Sequence, residues 1–81
     1  MKLPRNVSGP DLIKALTPLR YDIVRQTGSH IRLRRTGPEG EHNITIPNHD
    51  PIKLGTLNGI LGDIAAHLGI SKQNLVDDLF G

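Results

Sequence analysis

Residues 21–47 read YDIVRQTGSHIRLRRTGPEGEHNITIP, and the alternation of apolar and polar residues in this stretch decides the fold. Three segments have the composition of β-strands: residues 21–26, 29–36 and 41–47. Thr27-Gly28 suits a tight hairpin between the first two segments, and GPEG forms a second turn before the third. The stretch therefore predicts a three-stranded antiparallel sheet.

Apolar residues at helical spacing lie on both sides of this stretch. Before it, a helix is predicted at about residues 9–17, with Ser8 as its N-cap and Asp11 completing a capping box. After it, residues 56–68 have the same spacing, and Ser71 opens a last short helix. The predicted fold is α+β, in the order α-β-β-β-α, with helices on one face of the sheet and a short C-terminal helix.

The composition narrows the class of protein. A chain of 81 residues is expected to form one domain, residues 1–81. The absence of cysteine excludes disulfide scaffolds, thiolate nucleophiles and cysteine-based zinc sites. We see no secretion signal and no apolar run of membrane-spanning length, so we expect a cytoplasmic location and no membrane partner. One Phe, one Tyr and no Trp leave few rings on which bases could stack.

The net charge of +2 hides an asymmetry between the two parts of the chain. Residues 1–35 contain eight Lys or Arg and two Asp, whereas residues 36–81 contain two Lys and six Asp or Glu. A basic surface of this kind favours a polyanion such as a nucleic acid, although solvated basic faces are also common in other proteins. Four of the eight basic residues lie in the first two predicted strands: Arg25, Arg32, Arg34 and Arg35.

Strand alternation predicts which side chains share the face away from the helices. The turn at Thr27-Gly28 is expected to set Arg25 opposite His30, and the second turn to set Leu33 opposite Ile44. The apolar pairs then fall on the face that takes the helices. The predicted solvent-facing side has one histidine among three arginines: Tyr21, Ile23, Arg25, His30, Arg32, Arg34, Asn43 and Thr45.

This face has the groups needed for attack of an RNA 2′-hydroxyl on its own phosphate. The reaction needs a base for the 2′-OH proton and cations near the phosphorane oxygens, but no metal and no cofactor. His30 suits the proton role, and Arg25, Arg32 and Arg34 are expected to contact phosphates. His49 is a second candidate for moving a proton. The four histidines show no HExxH spacing and predict no metal site.

Several motifs in this order resemble the HicA/YcfA-like toxin family. They are Ser8-Gly9, RQTGSH at 25–30, IPNH at 46–49 and LGTLNGIL at 54–61. The resemblance covers about residues 7–70 and leaves residues 71–81 as a C-terminal extension. One departure is Arg20-Tyr21, where many members have a glycine followed by an aromatic residue.

The resemblance implies a fold like that of a double-stranded-RNA-binding domain, used by an endoribonuclease toxin (an mRNA interferase) that cleaves mRNA. It also implies a HicB-type antitoxin partner that covers the active face. The catalytic histidine of the family's GSH motif maps onto His30. Gly28 would then supply the turn, and Ser29 would orient the imidazole or a phosphate, or only complete the turn.

Two other functions fit parts of the sequence. A non-catalytic RNA-binding module would use the same basic strands without needing His30. A helix-turn-helix DNA-binding protein would use residues 64–79, with Lys72, Gln73 and Asn74 at the start of a recognition helix. The acidic residues of that segment oppose phosphate contact. A histidine beside arginines on a strand is also common on an ordinary polar surface without a function. His42 is expected at a strand-edge surface.

Overall fold

The structure is a computed structural model that describes residues 3–81. Its elements, in chain order, are α1 (Gly9–Leu16), a 3-10 turn (Thr17–Leu19), β1 (Asp22–Thr27), β2 (His30–Gly37), β3 (Gly40–Pro47), α2 (Leu54–Leu68) and α3 (Lys72–Phe80). The strands form one antiparallel sheet in the order β1-β2-β3. The predicted α+β order of elements is confirmed, and α2 begins two residues before the predicted start.

Helix α1 begins at the predicted capping box. The Ser8 hydroxyl accepts a hydrogen bond from the Asp11 N–H at 3.0 Å, and the Ser8 N–H donates to the Asp11 carboxylate at 3.3 Å. These reciprocal bonds satisfy two backbone donors that a helix start otherwise leaves unpaired. Leu12 and Leu16, one turn apart, are fully buried. The cap therefore orients α1 with its apolar stripe towards the core.

Beyond α1, the chain enters the sheet through Arg20, which ends the 3-10 turn with a φ of +72°. A left-handed backbone costs a residue with a Cβ roughly 1 kcal/mol, whereas glycine adopts it freely. Arg20 is the position at which the resembling family often has glycine. The departure seen in the sequence therefore lies at a backbone conformation that glycine would satisfy with less strain.

The β1–β2 hairpin turns at Gly28-Ser29, one residue later than predicted. Gly28 has a φ of +57° and Ser29 has no positive φ, a pattern typical of a type II′ turn with glycine first. The predicted pairing of Arg25 with His30 is therefore wrong. Arg25 pairs with Arg32, and His30 pairs with Thr27. Moving the turn by one residue shifts the pairing by two, so Arg25 and His30 still point to the same face.

A β-bulge in β1 reverses which face of the sheet the side chains at the start of this strand point to. The pairing shifts between Ile23 and Arg25, which leaves Val24 as the extra residue. Ile23 consequently pairs with a buried leucine of β2, whereas Arg25 pairs with an exposed arginine. Tyr21, two residues before Ile23, is 1% exposed. The expectation that Tyr21 lies on the solvent-facing side is wrong, because the bulge reverses the alternation. Ile23 shares the face of Leu33 but is 56% exposed at the edge of the sheet.

The β2–β3 hairpin confirms the predicted register. Leu33 pairs with Ile44 and Ile31 with Ile46, and all four side chains are buried. These residues form the inner face of the sheet and pack with residues of the three helices in one cluster. The helical members of the buried cluster are Leu12, Leu16, Leu57, Leu61, Ile64, Ala65, Leu75 and Val76. The opposite, outer face of the sheet remains open to solvent.

None of the helices in residues 3–81 combines the length and the apolar composition that crossing a membrane requires.

Candidate functional site

An open depression on the outer face of the sheet brings together side chains from all three strands. It is lined by Arg25, Thr27, His30, Arg32 and Thr45, and all five are exposed. The pairing explains why they meet: Thr27 lies opposite His30, and Arg32 lies between Arg25 and Thr45. Because opposite residues share a face, the backbone alone assembles this group. We call it the His30 face.

Two arginines of the His30 face oppose each other across the strands. Arg25 and Arg32 are direct partners, and like charges in this position destabilise a sheet. Among residues 3–81, no carboxylate lies within salt-bridge distance of either guanidinium. The pair therefore concentrates positive charge beside the exposed imidazole, which is a favourable arrangement for an anion.

Arg34 lies outside this group. It lines a neighbouring depression with Arg20, Asp22 and Val24, and its Nε donates to the Asn43 side-chain oxygen at 3.0 Å. The Glu41 carboxylate is 3.8 Å from the same nitrogen. A guanidinium with these partners contributes less positive potential than Arg25 or Arg32. Arg34 is thus at the margin of the site predicted from the sequence.

Ser29 and His49 lie where the β1–β2 turn meets the segment after β3. The Ser29 carbonyl accepts a hydrogen bond from the Asn48 N–H at 2.7 Å. His30 pairs with Pro47, two residues before the exposed His49. The GSH and IPNH motifs are distant in the sequence, and the sheet brings them into direct contact.

A second polar cluster, which sequence reasoning missed, lies on the inner side of the sheet. The Tyr21 hydroxyl and the His42 Nδ1 are 2.7 Å apart, and the His42 Nε2 lies 3.4 Å from the Asp63 carboxylate. The His67 ring stacks on the His42 ring at a centroid distance of 4.3 Å. The His42 side chain is only 14% exposed, so its expected strand-edge surface position is wrong. The alternation His42, Ile44, Ile46 was the sequence signal for an inward side chain.

The cluster lets a single tyrosine report on the packing of the sheet. Burial raises the pKa of Tyr21 to about 12, with the charge of Arg35 lowering it and that of Asp63 raising it. The folded state favours the neutral phenol over the phenolate. Tyr21 therefore makes its full contribution to the free energy of unfolding below pH 10, and this contribution is lost as the pH rises towards 12.

Because Tyr21 is the only tyrosine in the chain, absorbance of the phenolate should titrate with a midpoint near pH 12 in the native protein and near pH 10 in urea. The same midpoint in both states would contradict the buried phenol. The Tyr21→Phe variant, which has no phenol, supplies the baseline.

The Arg35 side chain lies on the inner side of the sheet, where it holds parts of the fold together, and it does not belong to the His30 face. Its Nε donates to the Leu19 carbonyl at 2.8 Å, and its Nη1 contacts the Glu39 carboxylate at 2.5 Å. This hydrogen bond is the main reason that the pKa of Glu39 is below its usual value. Arg35 thus ties the end of the 3-10 turn to the β2–β3 turn.

The segment considered for DNA binding forms the end of α2 and most of α3. Lys72, at the start of α3, donates to the Asn58 side-chain oxygen of α2 at 2.6 Å. Asp77 and Asp78 lie on the same short helix. The lysine of α3 is thus bonded within the protein, and this surface lacks the concentrated positive charge of the His30 face. In the described part of the chain, no three His, Cys, Asp or Glu side chains are grouped as metal ligands.

Comparison with known proteins and protein families shows to which family this chain belongs. Searches of curated proteins and of solved structures found no significant match. Residues 9–67 match the family described as HicA toxin of bacterial toxin–antitoxin, and this range includes α1, the sheet and nearly all of α2. The match covers well over half of the chain. The chain therefore belongs to the HicA toxin family and is a toxin of a toxin–antitoxin system.

Proposed function

We propose that this toxin is an endoribonuclease that cleaves mRNA at the His30 face, without a metal ion. The observation that carries the proposal is the exposed His30 beside two opposed arginines, Arg25 and Arg32. Like charges held close together cost stability, and binding of a phosphate would remove that cost. An anionic ligand therefore suits this surface better than a neutral one.

The proposed reaction is an internal transfer of the phosphoryl group. His30 accepts the proton of the 2′-hydroxyl, the 2′-oxygen forms a bond to the adjacent phosphorus, and the bond from phosphorus to the 5′-oxygen breaks. The leaving 5′-oxygen takes a proton from His49 or from water. The products are a 2′,3′-cyclic phosphate and a 5′-hydroxyl. DNA could bind this face, but it lacks the 2′-hydroxyl and would not react.

The other residues of the site have supporting roles in this proposal. Arg25 and Arg32 hold the phosphate and offset the charge that develops on the phosphorane oxygens. Ser29, in the turn before His30, contacts a phosphate or orients the imidazole. Arg34, in the neighbouring depression, contacts a phosphate further along the strand. The path of the RNA thus runs along the outer face from Thr27 towards Thr36.

The antitoxin is part of the same proposal. The family implies a cognate antitoxin, and we infer that it is of the HicB type and acts in the cytoplasm. We further infer that an acidic segment of it covers Arg25, His30, Arg32 and Arg34. The opposed cations of the His30 face provide the charge complementarity for such a segment. Covering this face would exclude RNA without any change in the fold of the toxin.

The test uses purified toxin, free of antitoxin, and a short RNA labelled at one end. We expect cleavage to persist in excess EDTA and to leave a 2′,3′-cyclic phosphate and a 5′-hydroxyl. Cleavage that requires Mg²⁺, or that leaves 5′-phosphates, would contradict the proposed mechanism. Binding of RNA without cleavage would instead favour the non-catalytic RNA-binding module. The same RNA with a 2′-deoxy sugar at the cleaved position should bind and remain intact.

A further inference from the structure

The segment from Pro47 to Ile52 is held by three backbone hydrogen bonds to two different parts of the chain. The Asn48 N–H donates to the Ser29 carbonyl at 2.7 Å, which joins the segment to the turn before His30. The Gly9 N–H donates to the His49 carbonyl at 2.9 Å, and the Ile52 N–H donates to the Val7 carbonyl at 2.8 Å. The segment is therefore bonded both to the start of α1 and to the β1–β2 turn.

At Gly9, the start of α1 comes very close to the backbone of Pro47 and Asn48. A Cβ built on Gly9 would lie 3.0 Å from the Asn48 Cα and closer still to the Pro47 carbonyl oxygen, where real Cβ atoms are essentially never found. Both atoms belong to the backbone, so no side-chain rotation could relieve the contact. The backbone of Gly9 is buried and begins α1 in its helical conformation. Glycine is needed here for close approach and not for a left-handed φ.

We propose that Gly9 is a positioning residue, which fixes the Pro47–His49 segment against the turn before His30 and so sets the placement of His49 relative to His30. This inference rests on the proposed function. Leu12 and Leu16 are fully buried and hold α1 against the core, and the Gly9 N–H joins α1 to the His49 carbonyl. An added methyl group must therefore separate α1 from Pro47 and Asn48.

Displacement of this segment acts on two parts of the site at once. It moves His49, the proposed source of the proton for the leaving oxygen, and it strains the Asn48–Ser29 bond next to His30. A misplacement of about 1 Å can cost on the order of 100-fold in rate when reacting groups must be aligned. The phosphate contacts of Arg25 and Arg32 come from β1 and β2, outside the segment. The chemical step should therefore suffer more than RNA binding.

The test compares Gly9→Ala with Gly59→Ala, a substitution on α2 where a new Cβ would meet open space. For Gly9→Ala we expect kcat to fall about 10- to 100-fold and KM to change less than about 3-fold. We also expect NMR shifts at the His30 and His49 rings. Gly59→Ala should change neither. A stability control, Val76→Ala, removes buried volume on α3 and should retain kcat at a temperature at which it is folded.

The NMR readout separates this inference from the proposed function. If the wild-type toxin does not cleave RNA, the proposed function fails, while shifts at His30 and His49 in Gly9→Ala still support the positioning role. Unchanged His30 and His49 signals, or an unchanged kcat, would overturn it. Should Gly9→Ala fail to fold, amide exchange in the wild-type protein decides. The Asn48 N–H should be protected as strongly as that of Ile52, and rapid exchange of Asn48 would overturn the inference.

Discussion

Replacing His30 by alanine is expected to lower the rate of RNA cleavage by about 10²- to 10⁴-fold while leaving RNA affinity within a few-fold of wild type. This is the size of effect that a positioned proton-transfer group supplies. His30 is exposed and pairs with Thr27, so its replacement creates no cavity in the core. Single-turnover cleavage and equilibrium RNA binding, measured on the same preparation, separate the two quantities.

Thr56→Ala is the control for His30→Ala. Thr56 is exposed on α2, which packs on the inner face of the sheet and lies outside the proposed RNA path, so its truncation should leave the cleavage rate nearly unchanged. His49→Ala should lower the rate less than His30→Ala, because water can protonate the leaving oxygen. A His30→Ala variant that cleaves RNA at the wild-type rate would rule out the proposed role of the imidazole.

Removing both arginines of the opposed pair, Arg25→Ala with Arg32→Ala, is expected to weaken RNA binding by about 100-fold or more at low salt. A hydrogen bond to a charged group contributes about 1.5–3 kcal/mol. The dependence of binding on salt should also become shallower, by about 0.7 in the logarithmic slope for each phosphate that the double variant no longer neutralises. The free energy of unfolding should stay level or rise slightly, because the repulsion between the two guanidinium groups disappears.

Arg5→Ala is the control for this pair, and it removes one positive charge where the double variant removes two. Arg5 is exposed beside Pro51 and Ile52, away from the His30 face, and its replacement should leave RNA binding and the salt slope almost unchanged. An equal weakening of RNA binding by Arg5→Ala and by the double variant would indicate that the whole basic surface binds RNA without a defined site. That result would contradict the assignment of phosphate contacts to Arg25 and Arg32.

The sequence predicted the order of elements and the β2–β3 register because the hydrophobic pattern there is strict. Ile31 and Leu33 alternate with charged residues, and Ile44 and Ile46 alternate with polar ones. A slip of one residue would turn all four side chains to solvent, and the length of the GPEG turn selects among the registers that keep them inside. The capping box of α1 is equally local, since Ser8 and Asp11 satisfy each other within one turn. Such features need no information from distant parts of the chain.

Strand β1 was predicted less well, because its environment is set by partners distant in sequence. Every residue of this edge strand is exposed, so burial does not select one alternation pattern. The bulge at Val24 turns Tyr21 inward, where it meets His42, 21 residues away. His30 and Arg25 remained on one face because the turn moved by one residue, and not because the predicted pairing was correct.

The polar cluster on the inner side of the sheet shows that side-chain contacts between distant segments are also hard to predict from the sequence. The alternation of β3 indicated that His42 points inward, but its stacking on His67 depends on how α2 crosses the sheet. The bond from Asn48 to Ser29 depends likewise on the path of the chain after Pro47. The spacing of residues in the sequence predicts neither of these two contacts. Long-range packing, and not local propensity, decides them.

The most direct test of the proposed site is NMR mapping of RNA bound to the isotope-labelled toxin, with a 2′-deoxy substitution at the cleaved position so that the RNA stays intact. The largest shifts are expected at Thr27, His30, Arg32 and Thr45, with smaller ones towards Thr36. Shifts confined to Lys72, Gln73 and Asn74 would place the nucleic acid on α3 instead, and would contradict the claim that the outer face of the sheet is the site of cleavage.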